Sequence, residues 1–453
     1  MDKTTAYLVD YAMAIDYSLL CPSTIAACKA RFLDTLGCAF GAYHAPTSVA
    51  ARGLAHEYSG TQRASILGSP QPTTPEMAAF ANGVMLRFLD MNDMYRDQSG
   101  GHPSDVIAAV LAMAETVQAD GARFIAAIAL AYEIFCSFCD STDINSKGWD
   151  QPVYGVIASA IACGKLLNLS RAQMGDAVSL ALAPNMTLMQ TRRGELSSWK
   201  GCAAANGSKN AVFAALLAHK GFTGPADVFE GRDGLWRIVG KFDWAPLDAQ
   251  AGPERITRTH LKCFAIGYHG QSAAWAALEL RERVSIDEIE QILIETYRPA
   301  VDMMGTDASR WSPKTRETAD HSLPYVVATV LLDGAIGDAS FSAKKLSDVR
   351  ALDLMRRTQV AEVPALSAQY PEGAPCRITV RTRSGEVVPV FVRYPRGHIR
   401  NPLDQSGIEA KFRQSSRTCL DESQAGLIIS EISALEGAVD LGNLLKLMQV
   451  RRA

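Results

Sequence analysis

The chain has 453 residues, 48% hydrophobic and 21% charged, with 45 Lys+Arg against 48 Asp+Glu and a formal net charge of −3. This composition excludes disorder and collagen-like structure. It also leaves no overall electrostatic basis for a nucleic-acid or anionic-membrane partner, while a local basic pocket for a small anion stays compatible with it.

The N-terminal residues Met1 to Asp16 carry acidic side chains and no uninterrupted apolar core. Neither a secretory signal nor an Arg-rich transit peptide is expected, and a cytoplasmic location is the expectation. Ala-rich segments with helical periodicity follow at residues 104–117, 123–135, 156–167, 171–182 and 209–220. Ser104 after Pro103, and Ser170 ahead of Gln173, are the expected caps. The most apolar run, residues 124–139, is interrupted by Glu133; it falls short of the ~20 residues of a membrane span and reads as a buried helix. Helices apolar around this much of their circumference must pack on several neighbours at once.

The pattern changes after about Gln271. A helix over 272–284 leads to a strand over 286–297. A further helix covers 321–332, and Cys376 to Tyr394 reads as a β-hairpin turning at Ser384-Gly385. The tail returns to helix around 410–413 and 427–447. The expected fold is mainly α: a large all-helical domain (residues 1–268 with 403–453) plus a smaller α+β lid domain (residues 269–402).

Ten cysteines in a chain this long suggest no disulfide framework. Cys136 and Cys139 have no second Cys/His pair to complete a zinc site. With a third, distant Cys they could in principle hold an iron–sulphur cluster. Their aromatic, Ala-rich setting favours core cysteines instead. No dinucleotide, phosphate-loop, zinc-protease or nucleophile-elbow motif is present, so side chains alone are expected to carry the chemistry.

Four polar clusters stand out. In the first, Asp90 and Asp93 share a face if the preceding helix continues. The Gly100-Gly101 loop then delivers His102 to a helix start, a pairing suited to acid–base work and to a bound anion. In the second, Arg192, Arg193 and Lys200 precede an Ala-rich helix and can clamp carboxylates. The third places His269 at a helix start on the domain junction. The fourth begins a helix with Asp320, His321 and Tyr325, the last two one turn apart. Each also has a plain reading, as a solvated loop or a structural histidine.

Together and in this order, these clusters resemble the MmgE/PrpD family. The resemblance rests on Asn82-Gly-Val84, Leu89-Asp-Met-Asn-Asp93, Gly101-His-Pro-Ser-Asp105, Gly148-Trp-Asp150, Glu195-Leu-Ser-Ser-Trp-Lys-Gly201, Gly221-Phe-Thr-Gly-Pro225, Tyr268-His-Gly-Gln271 and Glu317-Thr-Ala-Asp-His-Ser-Leu-Pro-Tyr325. It continues through Pro395-Arg-Gly-His398, Asn401-Pro402 and Lys411-Phe412. The family includes 2-methylcitrate dehydratase, cis-aconitate decarboxylase and iminodisuccinate epimerase. The resemblance implies a helical domain and a lid with the active site between them, a homodimer, and a dehydratase that uses no cofactor and no metal. Carried over by position, the active-site residues fall on Asp93, His102, Lys200, His269 and Tyr325.

The expected substrate is a small polycarboxylate related to 2-methylcitrate. His102 and His269 form the proton-transfer pair, with Asp93 orienting His102. Lys200 binds a carboxylate, and Arg192, Arg193, Gln151 and His321 line the substrate. Tyr325 donates a hydrogen bond from the lid. Where dehydratase-like members often read Gly-Trp-Asp-His, this chain has Gln151, which can hydrogen-bond but cannot take a proton. Decarboxylation or epimerisation of a related polycarboxylate, and binding without turnover, are the alternative readings.

Overall fold

Small residues decide how closely the long helices approach one another. A Cβ on Gly83, in the Pro75–Phe88 helix, would lie 2.8 Å from the Cβ of Ala205 in the Trp199–His219 helix. The two helices therefore cross nearly backbone to backbone, and only glycine fits there. In the computed structural model, which describes residues 1–450 apart from Asp243 and Ala245, helices of this kind build one large core. It runs from Leu8 to Leu261 and takes in Ile408, Phe412, Ile428 and Ile432 of the C-terminal helices Gln405–Ser416 and Glu422–Ser433.

The Gly121–Ser141 helix lies at the centre. It is long and apolar enough to cross a membrane, yet 89% of its most apolar stretch is buried inside the protein. Glu133, near the middle of the helix, accepts hydrogen bonds from the backbone N–H groups of Glu254 (2.9 Å) and Arg255 (2.8 Å) and pairs with the Arg255 guanidinium. A buried carboxylate satisfied this fully is tolerated. Cys136 and Cys139 are buried in the same helix, and all ten cysteines are free thiols.

Two short antiparallel ladders, β1 (Ala64–Ser65) with β2 (Pro72–Thr73) and β3 (Tyr95–Arg96) with β4 (Gly100–Gly101), decorate the helical part. The smaller α+β part carries a four-stranded sheet of β5 (Ile289–Thr296), β6 (Thr358–Glu362), β7 (Cys376–Thr382) and β8 (Val387–Val392), ordered β6-β5-β7-β8. β5 runs parallel to β6 and antiparallel to β7, with Ile292 opposite Val380 and Ile294 opposite Ile378. An irregularity between Ile289 and Gln291 adds a residue, so Ile289 and Ile292, three apart, reach the same buried face. That face packs against the helices Gln271–Arg283 and Leu323–Asp333 in a second core. Each fully buried Ile or Val there stabilises by about 1.5–3 kcal/mol.

Several boundaries differ from expectation, each for a local reason. The helix expected over 209–220 begins at Trp199, so Lys200 sits on its first turn rather than in a loop. Pro103 opens a short turn, Pro103–Val106, ahead of the Ile107–Thr116 helix; Ser104 lies inside that turn and caps nothing. The capping box of Ser170 and Gln173 forms as expected. Ser322 accepts from the Tyr325 N–H at 3.1 Å and starts the helix at Leu323, which leaves His321 outside it. The tail over 427–447 is divided, with α-helix ending at Ser433 and resuming at Gly442 after a 3-10 turn at Leu435–Gly437.

Where the two cores meet, Met94, Tyr268, Tyr297, Ala300 and Ala374 are buried together. The candidate site opens beside this seam.

Candidate active site

The Pro75–Phe88 helix stops short of Asp90, which turns back with φ +50°, a left-handed conformation Asp tolerates better than most residues. Asp90 and Asp93 are thereby separated. The Asp93 carboxylate turns inward and accepts from the Ser104 N–H at 3.0 Å. Asn92 ties the same turn together by donating to Ser104 Oγ (2.9 Å) and Asp105 Oδ1 (3.1 Å). The β3–β4 ladder sets Arg96 opposite Gly100 and delivers His102. A bridge between Met94 and His260 draws in the segment carrying Lys262. From the C-terminal helix, Lys411 donates to the Met91 carbonyl at 2.9 Å and pairs with buried Asp34 at 2.6 Å.

Asp90 is the centre of a buried charge cluster. Arg87 reaches it at 2.7 Å, Lys262 at 2.5 Å and Lys200 at 2.7 Å. The crossing at Gly83 and Ala205 explains part of this, because it lays the start of one helix, with Lys200, beside the end of the other, with Arg87. Burial alone would raise the Asp90 pKa, but Arg87, then Lys200 and Lys262, hold it well below the usual carboxylate range. Burial pushes Lys262 down to about 8 despite Asp90 beside it. Lys200 also meets Asp320 (3.2 Å) and lies 3.2 Å from His321 Nδ1. Arg316 pairs with Asp320 at 3.0 Å.

In front of this cluster lies a cavity of about 390 Å³ whose wall includes Asp90, Arg96, His102, Gln151, Arg192, Arg193, His269 and His321. His102 Nδ1 is 2.7 Å from the Asp93 carbonyl oxygen. A carbonyl can only accept, so Nδ1 carries the proton and Nε2 keeps a lone pair. Nε2 stands 3.9 Å from Asp90 Oδ1. Burial, followed by the charges of Arg87 and Lys262, holds the His102 pKa well below the ordinary histidine value. The ring is therefore neutral at physiological pH. His269 lies on the same cavity, with Nδ1 2.7 Å from the Tyr297 hydroxyl and Nε2 2.8 Å from Arg96 Nη2. Burial, then Arg96, lowers its pKa well below the ordinary value.

On the outer side, Arg192 Nε donates to both oxygens of Asp150, each at 2.8 Å. Gln151 Nε2 donates to Asp105 Oδ2 at 3.1 Å. Burial raises Asp105 to about 6 even with Arg87 near it.

His102, His269, Arg192, Arg193, Gln151 and His321 thus border one cavity, and Lys200 stands directly behind Asp90 and His321. Two expectations are corrected. Asp93 does not orient His102 through its carboxylate; its backbone carbonyl does, and Asp90 takes the place at the cavity. Tyr325 is buried in the second core with its hydroxyl donating to the Ser340 carbonyl at 2.6 Å, away from the cavity. Since the helix starts at Leu323, Tyr325 and His321 are not on one helical face. Residue-type reasoning missed Asp90 as the hub, and also Lys262, Arg96 and Tyr297; only Asp90 carried a local signal, as one of the paired carboxylates. Asp90, Asp320 and His321 come close enough together to hold a metal ion. The Lys200 ammonium already lies within 3.2 Å of all three, so a fixed cation fills that donor set.

Residues 6–246 match the MmgE/PrpD N-terminal domain and residues 264–436 match the MmgE/PrpD C-terminal domain. The 2-methylcitrate dehydratase of Cupriavidus necator is 28% identical over 429 residues, covering 88% of this chain and 85% of the relative. The enzyme of the same name from Salmonella typhimurium is 28% identical over 437 residues, covering 89% and 87%. A cis-aconitate decarboxylase-like protein, oryM, of Aspergillus oryzae is 25% identical over 481 residues, covering 98% and 97%.

Proposed function

Because the chain belongs to the MmgE/PrpD family, we propose that it is a lyase acting on a small polycarboxylate. The reaction we assign is dehydration of a hydroxy tricarboxylate related to 2-methylcitrate, by general acid–base catalysis without a metal. The observation that carries this reading is His102. It is neutral, held in one tautomer by the Asp93 carbonyl with a lone pair on Nε2, and lines a cavity bordered by Arg96, Arg192 and Arg193. Relatives named 2-methylcitrate dehydratase supply the substrate class.

In this mechanism the arginines bind substrate carboxylates, Arg by its two-pronged fork. His102 Nε2 removes the proton α to a carboxylate. The enolate-like charge develops toward Lys200 and Lys262, which Asp90 holds in place without reorganisation. His269 is the second proton-transfer group: the proton taken by His102 passes through its Nε2 to the departing hydroxyl, so that one water is lost overall and both rings end neutral. The fixed ammonium of Lys200 among Asp90, Asp320 and His321 supports a metal-free site. We include a homodimer in the proposal. Trp199 and Phe213, 46% and 52% exposed on one helix, are apolar surface that a second copy can cover.

The test incubates chelator-treated protein with citrate, 2-methylcitrate and isocitrate, following conjugated-alkene absorbance and product mass. Loss of one water is expected. Dependence on added iron, or no product from any of the three, overturns the reading. The relative named for cis-aconitate decarboxylation, matched along nearly the whole chain, supports a second reading, distinguished by release of carbon dioxide. Light scattering checks the dimer, and a monomer at micromolar concentration would refute it.

A further inference from the structure

Arg96 is unusually placed among the arginines of the cavity. It lies on the cavity wall with Nη2 2.8 Å from His269 Nε2, while its own Nε is buried and unpaired. Among the described residues no carboxylate comes within ion-pair distance of it. Its other neighbour is the Tyr370 ring, with the guanidinium carbon 5.7 Å from the centroid. A guanidinium stays charged at any physiological pH, and one with a buried, unused donor on a cavity calls for an anion. The backbone is shaped for this side chain. A Cβ on Gly100, its register partner, would stand 2.3 Å from Arg96 Cδ and 2.7 Å from Nη1, so only glycine lets Arg96 fold back onto His269.

We propose that Arg96 is a carboxylate-responsive cap on His269: in the free protein it occupies the lone pair of Nε2, and a substrate carboxylate draws the guanidinium away and frees that nitrogen for proton transfer. The donor–acceptor logic requires a neutral ring. Arg96 can only donate, so Nε2 must be unprotonated and Nδ1 must donate to the Tyr297 hydroxyl. The groups facing the ring are Arg96, Tyr297, Tyr268 and Tyr370, with His321 and Lys262 acting through charge. Arg96 is the nearest of the cations. Carboxylate binding and base activation thus become one event, and a ligand lacking a carboxylate at this corner leaves His269 covered. This inference rests on the polycarboxylate reading, and its test does not require turnover.

The experiment uses propane-1,2,3-tricarboxylate, which has no hydroxyl to lose, and histidine 15N NMR of the full chain, with His269 assigned through His269→Gln. Free wild type is expected to show His269 as the neutral Nδ1–H tautomer through the acid titration, and added tricarboxylate is expected to shift its Nε2 resonance. Arg96→Gln should bind the tricarboxylate about ten- to a hundredfold more weakly, the scale of a charge-assisted hydrogen bond. The same variant should move the His269 titration upward toward the ordinary histidine range. Arg96→Lys should restore part of the affinity. An unmoved His269 titration in Arg96→Gln, or wild-type binding that leaves the His269 signals unchanged, overturns the proposal. Binding with the shift but no dehydration of any hydroxy tricarboxylate supports the cap and refutes the dehydratase reading instead.

Discussion

Replacing Asp90 by Asn removes the single anion shared by Arg87, Lys200 and Lys262. All four side chains are essentially sealed from solvent. Breaking a buried pair by deleting one partner's charge costs about 3–5 kcal/mol, because the other charge stays buried and uncompensated. At roughly 2 °C per kcal/mol for a large folding unit, the midpoint should drop by about 6–10 °C. The pH dependence follows from the direction of the shift. Asp90 is held well below its unfolded value of 3.8, so its contribution is fully present above that value and is lost as pH falls below it. Calorimetry of wild type and Asp90→Asn between pH 8 and pH 3 should show a constant gap down to about pH 5 that narrows below about pH 4. A gap under about 2 °C at pH 7, or one that widens toward pH 3, would refute the assignment of Asp90 as the charge hub.

His102→Asn should lower kcat/KM by at least about 10²-fold, the range of a general base, with little change in melting, since the ring is neutral in the folded state. Equal activity in a folded variant would remove His102 from the mechanism. His260, His321 and His398 are lowered to about 3, 4 and 4, by burial first in each case, and His102 and His269 also lie low. The unfolded chain takes up these protons first, so stability should fall as pH drops from about 6.5 toward 4. A flat denaturation midpoint across that window would contradict the buried neutral rings. Tyr325→Phe should cost about 1 kcal/mol through the lost bond to Ser340, with kcat/KM within about twofold; a large loss of activity would return Tyr325 to the site. Gly100→Ala should displace Arg96 and weaken tricarboxylate binding as Arg96→Gln does, measured by calorimetric titration.

Much of this molecule was readable from short-range pattern. Periodicity and Ala content placed the helix Arg171–Leu182 and its Ser170–Gln173 capping box. Alternating Ile, Val and Thr placed β5 and the β7–β8 hairpin. Those features depend on neighbours within a few residues. His102, Lys200 and His269 likewise stood out because each falls in a short polar cluster next to a helical segment.

What local pattern could not decide is which distant groups share a space. Asp90 and Asp93 differ by three positions, and a single left-handed residue after Phe88 sends one to the cavity and the other into the Ser104 turn. Lys262 reaches Asp90 across 172 residues through the Met94–His260 bridge, and Arg96 meets His269 across 173. Tyr325 stays in the second core because Ser322 sets where its helix begins. Side-chain chemistry and periodicity are properties of a segment. The pairing of charges is set by where close-packed helices cross, and that depends on the whole core at once.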